Sequence, residues 1–118
     1  MRAARHATAV LVVALVLATS ARARADAAPD GARIYAEQCA GCHGDDGRGD
    51  GPAAAALVPR PRNFRDPAFW QDRTSAQIEA IVRAGKPGTM MMAFGGALSD
   101  AEIAAVARFV QSLAPAGR

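Results

Sequence analysis

The sequence predicts an all-α fold with three main helices and a loop-rich middle. Three observations predict it. Apolar residues recur at helical spacing in three segments. A capping residue stands at the start of each. No segment shows the alternation of period two that a half-buried strand requires.

The first helix is expected over about 30–39, with Asp30 as N-cap and Ile34 and Tyr35 as its bulky apolar contacts. A loop-rich tract follows. Residues 44–52 contain four Gly and three Asp, and Pro59, Pro61 and Pro67 punctuate what comes next. Residues 53–57 have the composition of a single helical turn. The second helix begins at Thr74, where Thr74 and Gln77 have capping-box spacing. Ile78, Ile81 and Val82 share one face, and Gly85 followed by Pro87 marks the stop. The third helix opens on a second capping box, Ser99 with Glu102. Ile103, Val106, Ala107 and Val110 recur along it, Leu113 extends the stripe, and Pro115 ends it.

The chain has 118 residues, the length of one small domain. Its start reads as a secretory signal. Arg2, Arg5 and His6 form a basic region, residues 7–18 form an apolar run, and small residues at Ala21, Ala23 and Ala25 offer cleavage sites. That run is too short for a membrane span, which takes about 20 residues. Cleavage after Ala25 leaves a domain of residues 26–118, expected in the periplasm. The cut also changes the charge. The precursor carries 14 Lys and Arg against 11 Asp and Glu, but Arg2, Arg5, Arg22 and Arg24 all precede it. The remainder is close to neutral and has no basic run with interleaved aromatics, so nucleic acid is excluded as a partner. Much of the 51% hydrophobic fraction is Ala, and the only aromatics are Tyr35, Phe64, Phe69, Trp70, Phe94 and Phe109. A core this poor in large side chains calls for a staple, metal or cofactor.

Cys39, Cys42 and His43 form C-x-x-C-H, the signature of covalent haem attachment. The spacing has a physical reason. Two thiols about one turn apart reach the two vinyl groups of one porphyrin edge, each forming a thioether. The adjacent imidazole then lies on the proximal side of the iron. A thioredoxin-like pair belongs between a strand and a helix, and this chain predicts no strand. A zinc site needs four ligands, and two Cys with one His supply too few. One covalent haem c is therefore the expected cofactor.

His43 is the only His after the signal segment, so a second His from the same chain is not available to the iron. The methionines that remain are Met90, Met91 and Met92, in one loop between the second and third helices. One of them is the candidate distal ligand, at least one is filler or surface, and Lys86 is a further candidate ligand.

These residues resemble the class I c-type cytochromes, most closely small bacterial monohaem ones. The resemblance rests on Gly31 and Tyr35 before the motif, on Cys39 to Gly44, and on Gly47, Gly49, Gly51 and Pro52 after it. It continues through Met91-Met92-Ala93-Phe94-Gly95 and the Leu98 to Glu102 entry into the last helix. It implies the class I fold, with the three helices wrapped around the haem. By position, it implies Met91 as distal axial ligand opposite His43, with Met92 as the alternative, standing where the family usually has Pro. It further implies that the first and last helices cross at Gly31, with Tyr35 against Phe109. A Pro carbonyl, for which Pro52 is the candidate, would accept a hydrogen bond from the proximal His. Arg60, Arg62 and Trp70 are candidate donors to the haem propionates.

With His and Met both on the iron, no position is open for a substrate, and one-electron transfer is the chemistry left. The expectation is a non-enzymatic, monomeric carrier between redox proteins, touching membranes only where it docks on membrane-bound complexes. Two other classes follow from the same residues. One is an electron-transfer subunit of a larger dehydrogenase or oxidase. The other is a haem sensor or peroxidase-like protein with a labile distal ligand, which binding of carbon monoxide or cyanide would reveal.

Overall fold

The structure, a computed structural model, describes residues 27–117. The predicted signal segment and its cut after Ala25 lie outside the described residues. Among the described residues all regular structure is helical. The order is α1 (Gly31–Gln38), α2 (Ala40–His43), a 3₁₀ turn (Ala54–Ala56), α3 (Pro67–Trp70), α4 (Ser75–Ala84) and α5 (Asp100–Ser112). Helices α1, α4 and α5 are the three that the periodicity predicts, and α2 and α3 are single turns.

The caps form as their residues dictate. The Asp30 side chain accepts from the Arg33 N–H and starts α1. Thr74 and Gln77 make both bonds of a capping box at α4, as do Ser99 and Glu102 at α5. Helix α3 escapes a reading by periodicity because it is one turn long. Its signal is local: Asp66 caps it by accepting from the Ala68 N–H, and Pro67 sits at its first position, where a missing N–H costs nothing.

Helix α5 is the spine and packs against both α1 and α4. Ile103, Val106 and Ala107 on it are fully buried. Its crossing with α1 depends on Gly31, where a Cβ would overlap the Ala105 carbonyl oxygen. Tyr35 and Phe109 meet at the same crossing, with ring centroids 5.0 Å apart. Helix α4 runs antiparallel to α5. Ser75 at its start bonds Gln111 at 2.6 Å, and Arg83 at its end pairs with Asp100 at 2.9 Å. No helix among the described residues is long and apolar enough to cross a membrane.

Candidate functional site

A cleft of about 290 Å³ opens between the short turn α2, the 57–64 segment, and the loop that joins α4 to α5. Cys39, Cys42 and His43 line it together with Met90, Met91 and Met92. The motif and the methionine loop are separated by about fifty residues in the chain, and the fold brings them to one space. Ile78, Ile81 and Val82 of α4 and Val106 and Val110 of α5 provide apolar wall. The predicted apolar stripes thus have two tasks. They bind the helices to each other and they line the cleft.

The motif is positioned by its own backbone. Cys39 ends α1 and begins α2, so Cys42 and His43 follow one turn later. The Gly-rich loop folds back onto this turn: Gly49 N–H donates to the His43 carbonyl at 2.7 Å, Gly51 N–H to Cys42 at 3.1 Å, and Ala53 N–H to Gly41 at 2.9 Å. Both thiols are free. Burial, and after it the neighbouring Cys42, pushes the Cys39 thiol up to about 11.

His43 Nδ1 lies 3.2 Å from the Arg62 carbonyl oxygen. A carbonyl only accepts, so Nδ1 carries the proton and donates. Nε2 is then left with its lone pair free to bind a metal. Burial lowers the His43 pKa, which favours this neutral form, while the bond to Arg62 pulls the other way. Phe64 stacks on the ring at 4.6 Å and 15° and limits its rotation.

The orienting carbonyl was expected at Pro52 and is that of Arg62. The Gly-rich loop carries Pro52 along the backbone of the motif into a separate depression, beside Asp45, Asp46 and Asp50. The chain returns to the ring only at Arg62. The side chain of Arg62 lines the cleft, as does that of Arg60, and its guanidinium sits 5.6 Å from the Phe69 ring centre. Trp70 is also corrected: it is buried but does not line the cleft. Its indole N–H donates to the Phe64 carbonyl at 2.8 Å, and it meets Phe69 edge-on at 4.9 Å. Trp70 therefore supports the ring that supports His43.

The methionine loop, which also lines the cleft, is tied to the end of α4. Phe94 N–H donates to Val82 at 2.9 Å, and Gly95 N–H to Arg83 at 3.1 Å. Lys86 N–H donates to the Met91 carbonyl at 3.1 Å. Gly85 makes this possible. Its φ is +71°, and a Cβ there would press on the backbone of Met91, Met92 and Ala93. The three methionines differ sharply in burial. Met90 and Met92 are 68% and 66% exposed, whereas Met91 packs against the core.

Sequence reasoning missed Phe64, Phe69 and Arg73 as cleft residues, whereas Lys86, a candidate ligand by sequence, does line the cleft. Phe64 and Phe69 had no signal beyond the scarcity of aromatics, and neither belongs to a periodic stripe. Arg73 had no signal in the sequence. The residues present fit a haem. Two free thiols, a metal-ready imidazole and a thioether line one cleft together with apolar side chains.

Comparison with known proteins agrees. The family model for cytochrome c matches residues 28–114. The chain is 33% identical over 105 residues to a cytochrome c6 of Picosynechococcus, covering 88% of each chain. It is 38% identical over 84 residues to a thiosulfate dehydrogenase of Stutzerimonas stutzeri, covering 70% of this chain but only 26% of that protein. Among solved structures, the KustC0563 c-type cytochrome superposes with a TM-score of 0.63 at 27% identity, over 73% of this chain and 99% of that one. The chain belongs to the cytochrome c family, whose haem transfers electrons.

Proposed function

We propose that this chain is an exported carrier of single electrons, with one haem c held covalently by Cys39 and Cys42 and ligated by His43 and Met91. The observation that supports the reading is that His43 and Met91 line one largely apolar cleft. A haem bound there supplies the one-electron couple between ferrous and ferric iron.

The chain's own residues then have definite tasks. Cys39 and Cys42 would hold the haem, each through a thioether formed from its S–H and one vinyl C=C with no net oxidation. Arg62, through its carbonyl, holds the His43 Nδ1 proton and aims Nε2. Phe64 keeps the imidazole from turning. Met91 alone of the three methionines is packed against the core, and its carbonyl is tied to Lys86. The apolar wall disfavours the extra charge of the ferric state and so raises the potential, as thioether ligation does. Arg60 and Arg62 are the propionate donors. The signal segment at 1–25 sends the chain to the periplasm, where covalent attachment takes place.

The test is the optical spectrum of the ferric protein, which has a red-edge charge-transfer band when a thioether sulfur binds ferric iron. The band is expected in the native protein, in Met90→Ala and in Met92→Ala, and lost in Met91→Ala. Its survival in Met91→Ala moves the ligand to a neighbour. A high-spin native protein instead supports the sensor or peroxidase-like reading.

One observation favours a second reading, an electron-transfer module of a larger oxidoreductase. The chain spans only 26% of the thiosulfate dehydrogenase it matches. Elution of the native protein as a single small species in sizing chromatography of a periplasmic extract supports the free carrier. Coelution with a larger dehydrogenase or oxidase supports the module.

A further inference from the structure

We propose that Thr89 is the positioning residue for the distal ligand: its hydroxyl ties the Met91 backbone into a closed clip and so selects that thioether from three adjacent ones. The proposal rests on the reading of Met91 as distal ligand and adds what singles it out.

The clip runs from Lys86 to Met91. Pro87 and Gly88 turn the chain, and the Lys86 carbonyl accepts from the Thr89 N–H at 3.2 Å across that turn. The Thr89 hydroxyl donates to the same carbonyl at 2.7 Å. It also accepts from the Met91 N–H at 3.1 Å. A hydroxyl has one proton and two lone pairs, so a single Oγ1 fills both roles at once. The clip closes where the Lys86 N–H donates to the Met91 carbonyl at 3.1 Å.

Met91 is therefore held on both sides, its N–H by Thr89 and its carbonyl by Lys86. Fixing both peptide planes fixes the direction of the Cα–Cβ bond, and the side chain packs against the core. Its neighbours differ. Among the described residues, neither Met90 nor Met92 makes a backbone hydrogen bond, and both side chains are exposed. Lys86 contributes only main-chain groups to the clip, which nearly any residue would supply. Thr89 Oγ1 is its one side-chain group, so position 89 is where residue identity enters. Thr89 is half-buried and lines the cleft. Removing its hydroxyl leaves the Met91 N–H without its partner in the fold.

The experiment uses the complete haem-bearing protein with imidazole as an added iron ligand. Imidazole binds only the fraction of molecules in which the thioether has left the iron, so its apparent affinity reports how firmly Met91 is held. Thr89→Val keeps the shape and removes the hydroxyl, and should tighten imidazole binding about fivefold or more. Thr89→Ser keeps the hydroxyl and should bind imidazole as the native protein does. Asp30→Ala removes the cap of α1, far from the loop in sequence, and should lower global stability without changing imidazole affinity. A second measurement needs no variant. In the ferrous native protein, amide hydrogen exchange followed by NMR should be slower at Met91 than at Met90 and Met92.

Native affinity in Thr89→Val overturns the proposal. So does a Thr89→Ser variant that behaves like Thr89→Val, because the hydroxyl would then not be acting. An Asp30→Ala effect equal to that of Thr89→Val also overturns it, since general loosening would then release the ligand. Met91 exchange as fast as that of its neighbours has the same meaning. In each of these cases a charge-transfer band that Met91→Ala abolishes leaves the ligand reading standing. A native protein without that band removes Met91 as ligand, and the proposal falls with it.

Discussion

At His43 the ring nitrogen facing the Arg62 carbonyl has one role open to it, because a carbonyl oxygen cannot donate. The tautomer follows from that single contact. Tyr35 is governed by a similar local rule. It is buried, and its hydroxyl donates to the Gly44 carbonyl at 2.7 Å, pinning α1 to the residue after His43. Burial, ahead of the charges of Cys39, Asp45 and Asp50, holds its pKa far above the ordinary range. The folded-state pKa therefore exceeds the unfolded value of about 10. The associated stability is fully present below that pH and is lost as pH rises further. Tyr35→Phe removes the hydrogen bond and should cost about 1 kcal/mol at neutral pH. The same variant should lose less stability than the native protein between pH 9 and 11. Denaturant titrations at several pH values check both statements, and parallel pH profiles would remove Tyr35 from the alkaline loss.

At the scale of elements, the crossing of α1 and α5 is set by the absence of a side chain. The Ala105 carbonyl occupies the space a Cβ on Gly31 would need. That oxygen is helix backbone and cannot rotate away, so the helices themselves must separate. Gly31→Ala should destabilise the protein by about 1–3 kcal/mol despite the better helix propensity of Ala. Thermal unfolding followed by circular dichroism checks the sign, and a rise in Tm would mean that the crossing has slack. The caps at Asp30, Thr74 and Ser99 were readable because each bond joins residues three apart in sequence. The one-turn helix α3 was not read, since Pro67 marks a helix start and a loop equally well until Asp66 is seen to cap it.

At the scale of the whole molecule, the cleft lies where a small domain would otherwise place more core. Val82, Val106 and Val110 are buried and at the same time line it. A haem there supplies apolar contact that the chain lacks, and a group that binds only the folded state stabilises it. The double variant Cys39→Ser with Cys42→Ser, isolated without haem, should therefore have markedly less helix than the native protein. Native-like far-ultraviolet circular dichroism in that variant would show that the polypeptide core suffices alone.

The sequence alone determined what depends on neighbours within about one helical turn. The three main helices, their caps, the Cys39-Cys42-His43 motif and the methionine loop are all of this kind, because capping, periodicity and attachment chemistry act through residue spacing. The tertiary structure decided what depends on where distant backbone returns. It chose the carbonyl of Arg62 over that of Pro52 for His43, because the Gly-rich loop folds back along the motif and carries Pro52 away. It turned Trp70 away from the cleft and onto the Phe64 carbonyl, because a buried indole N–H needs an acceptor. It also separated Met91 from its exposed neighbours and brought Arg60, Arg62, Arg73 and Lys86 to one cleft. Three adjacent methionines are equivalent as letters, and only their packing makes them different.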